Sequence, residues 1–126
     1  MTNSILKCTP APKHGRDGVI TLEEAWQDDG VAGRISLCYT PDKEVCTPVS
    51  FTQLASELSQ QETPSVEAFV SSLLDTFYDT VLPSYVEVVM ETLHQDGDEA
   101  QSRHKIHLAK SQPGYTLPAE LKELYP

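Results

Sequence analysis

Basic residues are scarce in this chain. Nine lysines and arginines stand against 19 aspartates and glutamates in 126 residues, a formal charge of -10 at pH 7. A nucleic-acid binder needs a basic footprint for phosphate, so this balance argues against duplex or single-strand nucleic acid as the main partner. Long apolar runs are also missing. None approaches the roughly 18–20 residues that span a bilayer, and the opening MTNSILKCTPAPKHGRDG has no signal-peptide apolar block. The expectation is a cytoplasmic protein with no membrane partner. Cysteine is limited to Cys8, Cys38 and Cys46, with no CxxC pair, and the odd count argues against a disulfide framework. There is one tryptophan, Trp26, and no internal repeat or low-complexity segment.

The clearest positive signal is the stretch 63–81, TPSVEAFVSSLLDTFYDTV. Val66, Phe69, Val70, Leu73, Leu74, Phe77 and Val81 fall at the spacing of one face of a helix. Thr63 is the expected cap, Pro64 suits the first helical position, and Leu82-Pro83 is the expected stop. A first helix is expected just before it, with Ser50 and Gln53 as a capping box and Phe51, Leu54, Ala55 and Leu58 as its apolar stripe. Strands are expected at 34–40, where Ile35, Leu37 and Tyr39 alternate, and at 85–94, where Val86, Val88 and Met90 do. Weaker strands are expected at 19–22, at 45–49 (limited by Pro48) and at 103–109. Residues 23–33 read as a loop.

This order predicts an α+β domain over 19–110, an antiparallel sheet with two helices on one face. Residues 1–18 read as a flexible arm and 111–126 as a tail with a short helix at 118–124. So small a sheet leaves open edges that invite pairing with copies of itself, which favours a homo-oligomer closed into a β-barrel.

The ββααββ order is the repeat unit of the tunnelling fold, and three stretches resemble members of that superfamily. RISLCYTPD at 34–42 is similar to the "hIxYxPD" strand and turn shared by GTP cyclohydrolase I and the nitrile reductase of queuosine synthesis. PSVEAFVSSLL at 64–74 resembles the cyclohydrolase "PQxQERLTxQI" helix and the reductase "FHExxxNxI" helix. LPSYVEVVMETLH at 82–94 is similar to the cyclohydrolase "LxPxGVxVVxExxH" strand. The resemblance covers residues 24–108 and implies a subunit-interface site for a purine- or pterin-like heterocycle. In those families the glutamate of the helix holds the ring edge, and here that residue is Glu67. A carboxylate can accept two parallel N–H bonds from such an edge.

The resemblance also implies a role for His94, which matches the strand-end histidine that moves a proton in the cyclohydrolase. The same register places Glu24, Trp26, Gln27 and Asp96 at zinc-binding positions, and no Cys/His set remains to hold zinc. It places Glu24, not cysteine, at the reductase nucleophile, so the covalent adduct with a nitrile cannot form. Glu24 is left as a second catalytic carboxylate, with Asp96 as an alternative. Glu24, Asp28, Asp29 and Asp96 could together offer oxygens to Mg²⁺ or Ca²⁺, but acidic loops are usually just solvated. No metal or other cofactor is assigned. A metal-free pterin enzyme like dihydroneopterin aldolase, or a non-catalytic member binding a ligand or protein, remains the alternative. His14, His104 and His107 read as surface residues.

Overall fold

Alternation of apolar and polar residues builds the sheet. The computed structural model describes residues 6–12, 18–28, 31–60, 65–96 and 100–125. In chain order these give β1 (Cys8–Pro10), β2 (Ile20–Asp28), β3 (Val31–Thr40), β4 (Glu44–Cys46), α1 (Pro48–Gln60), α2 (Val66–Val81), β5 (Tyr85–Asp96), β6 (Ala100–Ser111) and α3 (Ala119–Lys122). β2, β3, β5 and β6 form one antiparallel sheet in that spatial order, and β1 pairs with β4 in a small second sheet. The protein is thus α+β, with two helices between two hairpins.

The register sorts side chains into rows. Leu22, Leu37, Val88 and Leu108 share one row, and Glu24, Ile35, Met90 and Ile106 the next. Period 2 puts both rows on the same face. Onto that face α1 lays Phe51, Leu54, Ala55 and Leu58, and α2 lays Phe69, Val70, Leu73, Leu74, Phe77 and Val81, all buried. Phe77 is the hub: its ring meets Tyr39 edge-on at 4.9 Å and Phe51 at 6.5 Å.

Local chemistry moves several boundaries from their sequence-based positions. α2 is capped by Ser65, whose Oγ accepts from the Ala68 N–H at 3.1 Å, a cap worth about 1 kcal/mol. The expected cap Thr63 and Pro64 lie outside the described residues. α2 ends where expected, with Leu82 in the left-handed region at φ 51 and its N–H donating to the Tyr78 carbonyl. α1 begins earlier than the Ser50/Gln53 box implies. Thr47 Oγ1 accepts from the Ser50 N–H at 3.4 Å, and Pro48 takes the first helical position, where its missing N–H costs nothing. Pro48 therefore opens a helix rather than limiting a strand at 45–49, and β4 stops at Cys46.

The largest correction concerns 23–33. Instead of a loop, this stretch supplies most of β2 and the start of β3, paired from Ile20↔Tyr39 to Asp28↔Val31. Its acids hid the alternation: Leu22, Glu24 and Trp26 turn toward the helices, while Thr21, Glu23 and Ala25 are exposed. The expected loose arm also contributes structure, since Leu6 is buried and Cys8 is the register partner of Cys46. No helix among the described residues is long and apolar enough to cross a membrane.

Candidate functional site

Glu67 sits in the first turn of α2, held there by the Ser65 cap. Its side chain is 58% exposed, and Oε1 lies 3.4 Å from His104 Nε2 on β6. β6 is an end strand of the sheet. Glu67 therefore stands beside one sheet edge, half in water, with an imidazole next to it. His104 had read only as a surface residue.

Glu24 stands at the other edge, on β2. Thr52 of α1 donates to its Oε2 at 3.3 Å. Together with Trp26, Ile35, Ser56 and Ser59 they line a cleft of about 310 Å³ between strand and helix. Gly33 shapes this end of the sheet. A Cβ there would meet the Glu91 carbonyl oxygen at 2.7 Å, Thr92 Cγ2 at 3.0 Å and the Trp26 ring at 3.5 Å. Glycine thus permits the close approach of the Glu91 carbonyl and Thr92 on β5; the Trp26 ring, at ordinary contact distance from that position, lies 6.1 Å from the Phe69 ring. The Trp26 Nε1 is buried with no acceptor among the described residues. Read as a loop residue, Trp26 gave no hint of a cleft wall.

One chain does not bring Glu67 and Glu24 together. Three strand spacings of roughly 4.8 Å separate β2 from β6, so the two edges stand about 14 Å apart. The backbone of His94 pairs with Val31 and Ser102, one row beyond the row that holds Trp26, Gly33, Thr92 and His104. That puts His94 at the same end of the sheet as Glu67 and on the strand next to His104. Its side chain lies outside the described residues, as do those of Asp28 and Asp96 and the whole of Asp29. Among the described residues no group of three or more His, Cys, Asp or Glu side chains is disposed to hold a metal ion.

Charge divides the two edges. β2 carries Glu23, Glu24 and Asp28 and no base; β6 carries Arg103, Lys105 and Lys110 with His104 and His107, and no acid. α2 partly answers β6, with Asp75 Oδ1 3.3 Å from Lys110 Nζ.

The face of the sheet away from the helices holds a polar knot that the sequence did not single out. Glu87 on β5 is nearly buried. Its Oε1 accepts from the Tyr85 hydroxyl at 2.5 Å, and its Oε2 lies 3.2 Å from His107 Nε2 without an aligned hydrogen bond. Tyr125, returning from α3, stacks edge-on against Tyr85 at 5.0 Å and shares a 2.8 Å hydrogen bond with Thr40. Burial, then the Glu87 carboxylate, push the Tyr85 hydroxyl above its usual range; burial chiefly does the same to Tyr125. Both hydroxyls stay protonated; that of Tyr85 donates to Glu87, and either partner can donate between Tyr125 and Thr40. The only sequence sign of this knot is an acid two residues after a tyrosine within a β-branched strand.

Comparison with protein-family models and with curated proteins gives no match to this chain.

Proposed function

We propose that this chain is a tunnelling-fold subunit, similar to GTP cyclohydrolase I and the nitrile reductase of queuosine synthesis, that binds a purine- or pterin-like heterocycle between neighbouring copies. The observation that carries this reading is the placement of Glu67 and Glu24 at opposite, oppositely charged edges of one sheet. Joined β2 to β6, copies would extend the sheet into a closed ring and bring the acidic edge of one against the basic edge of the next. Glu67 and His104 of one copy would then face the Glu24–Trp26 cleft of its neighbour. Glu67 accepts the paired N–H groups of the ring, Trp26 offers an aromatic wall, and His94 with Glu24 moves protons if a reaction follows. Neither a zinc-bound water nor a cysteine adduct is part of this site, because the ligands and the thiol those reactions need are replaced by Glu24, Trp26, Gln27 and Asp96.

Two measurements test it. Light scattering is expected to give a mass several times 13.9 kDa, and reversal of the acidic edge in a Glu23→Lys/Glu24→Lys variant is expected to lower it. A monomeric wild type would end the shared-cleft reading. Thermal-shift screening against guanine, pterin and 7-deazaguanine compounds is expected to find a ligand whose presence at about a hundred times its Kd adds about 2.7 kcal/mol. Glu67→Gln, which loses one charged acceptor, is expected to weaken that ligand at least tenfold; unchanged affinity would remove the anchor. Turnover of the bound compound, lost in His94→Ala, separates an enzyme from a binding protein.

A further inference from the structure

The geometry points to a second ligand site, for a small organic oxyanion with an apolar body, in a hollow on the sheet face opposite the helices. Its walls are Ala32 and Arg34 of β3, Glu91 and Leu93 of β5 and Arg103 of β6, and its volume is about 310 Å³. Alternation places all five on the face that neither α1 nor α2 covers. The volume is at the small end of ligand pockets, about 300 Å³ and upward, and suits a single ring with one anionic group.

Charge selects the ligand. Arg34, Arg103 and Lys105 are three of the nine bases in a chain of net charge -10, and all three are exposed on this face. Lys105 is the register partner of Glu91, which is in turn that of Arg34. Among the described residues no carboxylate lies within ion-pair distance of Arg103 or Lys105, and Arg34 reaches only Glu23, at 3.8 Å with its side chain 73% exposed. Three cations thus meet two carboxylates, Glu23 and Glu91, and among the described residues Arg103 and Lys105 have no salt bridge. Guanidinium forks bind carboxylate and phosphate oxygens in pairs. Between them Leu93 is 43% exposed, a large apolar side chain facing water from the middle of a strand. Two arginines around an exposed leucine fit a molecule with an oxyanion at one end and an aromatic or aliphatic body at the other.

This site does not depend on the heterocycle reading, because Glu67 and Glu24 serve the opposite face. The test titrates phenyl phosphate, benzoate and inorganic phosphate into the full chain at constant ionic strength, by calorimetry and by following arginine Nε–H resonances. Phenyl phosphate is expected to bind saturably and more tightly than inorganic phosphate; benzoate reports whether a carboxylate serves as well. Arg34→Gln/Arg103→Gln is expected to weaken binding at least tenfold with the fold intact by circular dichroism. Leu93→Ser is expected to bring phenyl phosphate down to the level of inorganic phosphate, and Glu67→Gln to change neither. The absence of saturable binding by any of the three probes would overturn the site, as would unchanged affinity in the arginine variant.

Discussion

Phe77→Ala is expected to bring the protein to the edge of unfolding at 25 °C. Phe77 is wholly buried and touches both the sheet, through Tyr39, and α1, through Phe51. Removing the ring loses its transfer free energy and leaves a cavity where three elements meet, at a cost of about 3–5 kcal/mol. Domains of this size hold only about 5–15 kcal/mol in all. Urea denaturation is expected to show the midpoint falling by that free energy divided by the slope, with the slope itself unchanged. Phe77→Leu, which keeps most of the volume, is expected to lose much less. Equal losses for the two variants would mean that the site collapses around either side chain and that Phe77 is not the hub described.

The second large effect is a loss of stability in alkali. Burial pushes the Cys46 thiol from 9.0 up to about 11, against a smaller opposing effect of its hydrogen bond with Tyr39. In the unfolded chain this thiol ionises near 9.0, while in the folded chain it holds its proton until about 11. Between those values the unfolded chain has released a proton that the folded chain keeps, so rising pH favours unfolding. The contribution is whole below pH 9 and is lost progressively toward pH 11, about 2–3 kcal/mol in total. Tyr39, which is fully buried, is pushed above its ordinary range chiefly by burial and adds a loss of the same sign at higher pH. Urea midpoints of wild type and Cys46→Ala, compared at pH 8 and pH 10, are expected to show a smaller drop in the variant. Identical drops would remove Cys46 as the cause.

Much of the architecture was legible in the sequence because two signals were clean. The apolar series from Val66 to Val81 has one period, and Tyr85 to His94 alternates without interruption, so α2 and β5 stand where they were expected. The sequence misled where function-like residues overlay a weak pattern. Glu23, Glu24, Asp28 and Asp29 make 23–33 look like an acidic loop, yet an edge strand tolerates charge because one side of it meets water. Proline also had two readings at Pro48, and only the Thr47 hydroxyl decides that it opens a helix. The candidate site was legible as residues but not as a place. Nothing in the spacing of Glu24 and Glu67 says that they occupy opposite edges, since that follows from register. Glu87 and Tyr125 could not be linked at all, because their meeting depends on where the tail returns.

Register also sets the sequence of events by which the molecule is assembled. The β2–β3 and β5–β6 hairpins join chain neighbours, whereas Thr40 and Tyr85, paired across the midline, have both helices between them. Thr40 must then wait for Tyr125, 85 positions away, before its hydroxyl is covered. Non-local pairings of this kind limit folding speed, so the β3–β5 seam is expected to be the slow step. Pulse-labelled amide exchange showing that seam protected before either hairpin would contradict this order. On a ribosome delivering the chain from its N-terminus, the β2–β3 hairpin would stand alone until both helices and β5 had emerged.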